Sequence, residues 1–232
     1  MLGICFTTQV PGVSAILVAF ILFDASSILA QYNPGTYKGS AFGRIDKKHD
    51  GNIEVEVTVS ADKIEKIEVL HYEQSVGHKK YGAQVTEAKT KIPVDILAKQ
   101  TLGVDAITKA TMASNAIELA VAKALEQAIT KKYVPGTYKG EAYGRSDKKH
   151  NGHIEVEVTV TENKVEDIKV ITYEQSVDHK KYGAQVTEAK TKVPTQILEK
   201  QSLEVDIVTK ATFASNAIDL AVARALQQAI VK

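Results

Sequence analysis

Two stretches of this 232-residue chain gather small and hydroxylic side chains just ahead of an alanine-rich helical pattern. They are Asp105-Ala106-Ile107-Thr108-Lys109-Ala110-Thr111-Met112-Ala113-Ser114 and Asp206-Ile207-Val208-Thr209-Lys210-Ala211-Thr212-Phe213-Ala214-Ser215. Several hydroxyls at a helix entry set backbone N–H groups and the positive end of the helix dipole around one point, which suits a phosphate. The plainer reading of the same residues is helix capping, a common use of Ser and Thr. Lys47-Lys48-His49 and His78-Lys79-Lys80, echoed at Lys148-Lys149-His150 and His179-Lys180-Lys181, fall in apparent loops without the i, i+4 pairing of ligand histidines. They read as solvated charge, or as a docking patch for an acidic partner, and not as a metal site. His71 and His153 are unmatched between the two halves of the chain and receive no role. The lone Cys5 precedes all the globular sequence. It excludes an internal disulfide and any zinc or iron-sulfur site built on cysteines within one chain, and the lack of C-x-x-C-H excludes c-type haem.

The elements that must position these residues occur twice. Pro34-Gly35-Thr36-Tyr37-Lys38-Gly39 returns as Pro135-Gly136-Thr137-Tyr138-Lys139-Gly140, and Thr111 returns as Thr212, both displaced by 101 residues. Roughly 72 of the 100 aligned positions between 32–131 and 133–232 are identical, far above what secondary-structure periodicity alone gives. Each copy is long enough to bury a core of its own, so these are tandem domains and not solenoid repeats. The linker is a few residues around Lys131 to Val134, short enough to hold the domains close. Lys plus Arg (29) and Asp plus Glu (28) leave a net charge of +1, so no global field exists to hold a nucleic-acid backbone.

Within a copy, Ile53 to Val59 alternates apolar and polar residues, as a strand with one buried face does. Ser60 to Lys63 supplies a turn, and Ile67, Val69 and Tyr72 continue a second strand, giving an antiparallel hairpin. Gly35 to Gly43 reads as a first strand. Ser75 to Thr90 has no clear period, and Ile92 to Leu97 opens a short helix with Pro93 near its first turn. A longer helix closes the copy, with Ile117, Val121, Ala124, Leu125, Ala128 and Ile129 at three-to-four spacing and Asn115 with Glu118 as N-cap and capping box. The fold class expected is α+β: two tandem copies of a small antiparallel sheet packed with C-terminal helices.

Residues 1–30 differ from the rest. Gly12 to Phe23 is an almost unbroken apolar run ending in small residues near Ala30, which reads as a signal peptide, or as an N-terminal membrane anchor. Against export stands the lack of Lys or Arg ahead of the run. The expected location is extracytoplasmic, periplasmic or at the cell surface, with membrane association through the N-terminus.

The pattern Asp-x-x-Thr-x-Ala-Thr-x-x-Ser, after a Y-x-G strand and a hairpin and before an Ala-rich terminal helix, resembles the FMN-binding domain of ion-pumping redox complexes and of exported flavoproteins. The resemblance covers both copies. It implies one FMN per domain, joined by its phosphate to a threonine hydroxyl by a flavin transferase that uses FAD and releases AMP. The acceptors it implies are Thr111 and Thr212. Asp105 and Asp206, with Thr108 and Thr209, fall on motif positions the transferase needs; Lys109, Lys210, Ala110, Ala211, Ser114 and Ser215 complete the implied cofactor-binding set. Two departures stand out. Lys109 and Lys210 occupy the family's usual glycine, a position that tolerates lysine less well if it needs positive φ, although the amine would offset a phosphodiester's charge. Tyr72-Glu73-Gln74-Ser75 stands where relatives often carry Glu-Thr-Pro. The implied function is an electron carrier, not an enzyme by itself, relaying electrons between redox partner proteins or a membrane donor and an outer acceptor. The competing readings are a flavin-free pair of cell-surface binding modules, in which Thr111 and Thr212 cap helices, and a small-molecule reductase.

Overall fold

A computed structural model describes residues 32–129 and 133–230. The expected export segment, Cys5 and, of the expected linker, Lys131 and Lys132 lie outside the described residues.

The first copy runs β1 (Gly35–Phe42), β2 (Asn52–Val59), β3 (Ile64–Tyr72), α1 (Gly82–Lys99) and α2 (Thr111–Ala128). The second repeats it as β4 (Gly136–Tyr143), β5 (His153–Val160), β6 (Val165–Tyr173), α3 (Gly183–Lys200) and α4 (Thr212–Ala229). Each sheet is antiparallel with the strands in chain order, and the architecture is α+β, as the sequence pattern indicates. Ile53, Val55, Val57 and Val59 of β2 point into the core while the residues between them stay partly exposed. The strand alternation read from the sequence is therefore real.

Three local expectations give way. The helix expected from Ile92 begins ten residues earlier, at Gly82, and Pro93 lies inside it. Val85, Ala88, Ile92, Pro93 and Ile96, with Gly82 at the start, form its buried stripe, too thin among polar residues to show a period. Second, α2 starts at Thr111, so Asn115 sits a turn inside the helix and the Asn115–Glu118 capping box does not form. Both side chains turn instead to the other copy. Third, Ile129 leaves the helix in extended conformation and bridges to Tyr32, as Ile230 does to Tyr133. Gln100, left-handed at φ 52°, ends α1 and clasps Ile64, accepting its N–H at 2.8 Å and donating to its carbonyl at 3.0 Å.

Helix α2 is buried on nearly all sides. One side lies on its own sheet at very close range: a Cβ added to Gly39 would fall 2.0 Å from the Ala120 carbonyl oxygen and 2.7 Å from the Ala124 nitrogen. Another side packs against α4, and the two helices run in opposite senses, since Glu118 meets Arg224 while Lys123 meets Asp219. Arg224 donates Nε to Glu118 Oε1 at 2.6 Å and Nη2 to Oε2 at 2.8 Å, a two-pronged pair. The counterpart is looser. Lys123 Nζ stands 4.0 Å from Asp219 Oδ2 and 3.4 Å from Glu204 Oε2, and Asp219 Oδ1 is buried with no hydrogen-bond partner among the described residues. Burial pushes the Glu118 carboxyl up to about 7 against the pull of Arg224. Burial pushes Asp219 further, to about 8, where Lys123 opposes the shift and Glu126 and Glu204 add to it. Asn115 donates to the Tyr143 carbonyl at 2.7 Å, and Asn216 returns the contact to the Phe42 carbonyl.

Replacing Gly39 by Ala is expected to drive β1 off α2, costing about 3 kcal/mol in denaturant unfolding; an unchanged midpoint would show that the sheet can move away freely. Asp219 is raised from 3.8 to about 8, so the penalty of burying its charge is absent while it is protonated and opposes folding increasingly as pH climbs through that window. Asp219→Asn should match the wild type near pH 4 and exceed it in thermal midpoint at pH 8, with Glu118 common to both proteins. Parallel stability curves at every pH would refute the burial argument.

Candidate cofactor site

The segment Val104 to Ala110 makes a tight turn into α2. The Ala110 N–H reaches the Ile107 carbonyl at 2.8 Å, and the Ser114 hydroxyl accepts the Ile107 N–H at 3.0 Å while donating to the Ala110 carbonyl at 3.1 Å. Ser114 is buried and acts as a strut between turn and helix. Ser215 does the same with the Val208 N–H at 3.1 Å. Ala110 and Ala211 are also buried, at the N-cap positions. These four residues build the turn and face inward.

The outward residues are the others. Lys109 has φ 70° and Lys210 φ 68°, the left-handed region that the resemblance reserves for glycine. Their side chains are exposed. This backbone flip sets Thr111 and Thr212 as the first residues of their helices, partly exposed, with no side chain capping either helix and no acid in either first turn. The capping reading of the two threonines therefore fails: alanine holds each cap position. A helix start left without a cap or a neutralising carboxylate offers free N–H donors and an unopposed positive pole. That donor set, with a primary-turn hydroxyl and a lysine beside it, fits a phosphate ester of FMN. Asp105 and Asp206 are exposed, with Lys99 at 3.8 Å and Lys200 at 3.6 Å. Thr108 and Lys109 line a separate shallow groove of about 530 Å³ along α1, to which Asp105 also belongs but Thr111 does not.

Thr111 opens instead onto a cleft of about 740 Å³ between the two copies. Asp105, Thr111 and Asn115 form one wall, and Glu141, Tyr143 and Arg224 of the second copy stand in the other. Its counterpart on the opposite side of the helix pair has about 280 Å³, lined by Phe42, Lys123, Glu204, Ile207 and Asn216 among others. Sequence reasoning gave no role to Asn115 here, nor to Tyr143, Arg224 or His153. His153 stacks on Tyr143 with ring centroids 5.1 Å apart and lies 3.1 Å from the Glu141 carboxylate. The signal available was that positions 141, 143, 153 and 224 all differ from their partners in the first copy.

The loop with Gln74 and Ser75 closes the hairpin end. Buried Gln74 donates to the Gly51 carbonyl at 2.6 Å and accepts the Arg44 N–H at 3.1 Å. Ser75 donates to Asp46, whose carboxyl is held far below the usual range, first by the Lys48 N–H and then by Ser75. The histidines of the lysine-rich runs are tied down. His78 stacks on Tyr81 at 3.6 Å, with the Arg44 guanidinium over the same ring, and His49 lies 3.1 Å from Asp46. The second copy repeats the stack with His179, Tyr182 and Arg145.

The FMN-binding domain family model matches this chain twice, over residues 49–126 and 150–227, each span containing one complete turn and its threonine. The chain belongs to that family, as two FMN-binding domains in tandem. It is 32% identical over 102 residues to an uncharacterised protein of Treponema pallidum (strain Nichols), an alignment covering 44% of this chain and 27% of that protein. It is 36% identical over 87 residues to the NADH:acrylate oxidoreductase of Vibrio harveyi, covering 38% of this chain and 8% of the oxidoreductase. The chain thus spans less than a third of either curated relative.

Lys109→Gly removes a side chain from a left-handed residue and is expected to raise stability by about 0.5–1 kcal/mol, the strain relieved exceeding the entropy glycine adds to the unfolded chain. Lys109→Val should lower it. A loss of stability in the glycine variant, read by urea unfolding, would mean that the lysine amine is worth more to the fold than its backbone costs.

Proposed function

We propose that this chain is an exported electron carrier holding two FMN groups, joined by phosphoester bonds to Thr111 and Thr212. The observation that carries the reading is the pair of uncapped helix starts, each led by a partly exposed threonine directly after a left-handed lysine and a buried alanine. In forming each bond, the threonine hydroxyl oxygen attacks the flavin-side phosphorus of FAD, the pyrophosphate link breaks, AMP leaves and the hydroxyl proton passes to solvent. A separate flavin transferase carries this out, and the exposed Asp105, Thr108, Asp206 and Thr209 form the surface it recognises. Afterwards the first-turn N–H groups of α2 and α4 hold the phosphate, and the Lys109 and Lys210 amines offset its charge. When bound, FMN supplies reversible electron uptake and release at a potential set by its surroundings. A phosphoester anchor suits export, because a cofactor held reversibly is lost by dilution outside the cell.

The apolar run at 12–23 supplies the export signal or anchor, and the electrons pass between a membrane-side donor and an outer redox partner protein. Among the described residues no helix is long and apolar enough to cross a membrane. In this reading the chain relays electrons and substrate turnover belongs to those partners.

Intact mass of the protein co-expressed with a flavin transferase should exceed the apoprotein by two FMN groups less water. Thr111→Ala and Thr212→Ala should each remove one group and the double variant both. An unmodified mass, beside a control substrate that the same transferase does label, would overturn the covalent reading.

A further inference from the structure

The two acceptor threonines open onto unlike surroundings. The cleft at Thr111, about 740 Å³, lies inside the range of roughly 300–1,000 Å³ that small-molecule sites occupy, and the counterpart of about 280 Å³ lies below it. Three exchanges account for the difference. Gly103 becomes Glu204, whose carboxylate reaches 3.4 Å from Lys123 across the gap; Ala106 becomes Ile207; and Arg224, drawn back onto Glu118, has Lys123 as its counterpart. Thr111 is part of its cleft's wall, whereas the smaller cleft is walled by Asn216 and not by Thr212. Divergence is concentrated there. About half of the residues lining the larger cleft differ between the copies, against roughly 28 of 100 aligned positions overall.

We propose that the interdomain cleft is a composite site that seats the flavin ring carried on Thr111 against the second copy, while the ring on Thr212 is left facing solvent. The proposal rests on the covalent-FMN reading above. The larger cleft has what a flat heteroaromatic needs. Tyr143 presents a half-exposed ring there and is backed by His153 at 5.1 Å. Asn115 ties the wall holding Thr111 to the strand holding Tyr143, through the Tyr143 carbonyl at 2.7 Å. Arg224 is held in place by Glu118 and by the Glu141 carbonyl at 2.8 Å, so its guanidinium is a fixed part of the cleft wall. The other cavities do not compete. The pocket beside Lys210 and Phe213 holds about 50 Å³, and the groove along α1 does not include Thr111.

The test uses two single-flavin proteins, Thr212→Ala carrying FMN on Thr111 and Thr111→Ala carrying it on Thr212, with loading checked by intact mass. Flavin emission per FMN should be several-fold weaker in the Thr212→Ala protein, through stacking on Tyr143, and its residual emission several-fold less sensitive to iodide. Adding Gly103→Glu to that protein should restore emission and iodide access, since a Cβ at Gly103 meets nothing nearer than Thr101 Oγ1 at 3.7 Å and the second copy carries Glu204 at the same position. Tyr143→Ala should restore emission alone. Equal emission and quenching in the two loaded proteins, or indifference of the Thr111 flavin to both substitutions, would overturn the composite site while leaving the flavin reading standing. Lack of the FMN mass on Thr111 would overturn both together.

Discussion

Helices α2 and α4 have almost no free side, and the molecule is arranged around that fact. Each lies against its own sheet at a distance only glycine permits, at Gly39 and Gly140, and each is covered on another side by the opposite helix. A helix buried all round needs small apolar residues on every face, which is why both read as alanine-rich without a clean polar side. The turn that precedes each helix inherits this rigidity. Ser114 and Ser215, buried at the first helical turn, hold the preceding loop in place, so the partly exposed threonine is presented by a packed core and not by a loose loop.

Much of the fold was legible in the residues. The β2 alternation, the turn at Ser60 to Lys63 and the duplication all follow from period and spacing. The beginning of α1 was not, because Gly82 to Lys91 offers only Val85 and Ala88 to the core and Pro93 suggests a start where the helix is already well advanced. The cap was misplaced for a related reason. Asn115 and Glu118 have capping spacing, yet their partners, the Tyr143 carbonyl and Arg224, are distant in sequence and belong to the other copy. The motif turn was readable from its resemblance, down to the left-handed position now filled by lysine. The cleft was not, since its second wall arises only from how the copies pack.

The charges between the helices and the shape of the clefts form one system. Arg224 and Lys123 occupy the same position in the two copies and flank the two clefts. Arg224 satisfies Glu118 with a fitted fork and leaves space behind it; Lys123 is shared between Asp219 and Glu204 and satisfies neither fully. Only four positions differ between α2 and α4, and three of them, 118 with 219, 123 with 224 and 126 with 227, make contacts across the copies. A buried charge pair is a poor source of net stability but a good source of register, and here the stronger of the two fixes the side on which the cleft stays open.

The opposed run of α2 and α4 is the geometry of a twofold-symmetric dimer, with one chain in place of two subunits. In a dimer of identical subunits any substitution appears on both sides of the axis at once, so a glycine that opens one cleft opens the other. Joining the halves end to end releases that coupling. Gly103 can face its cleft while Glu204 fills the other, and one gene can encode two neighbourhoods for the same chemical group without a second protein having to find the first.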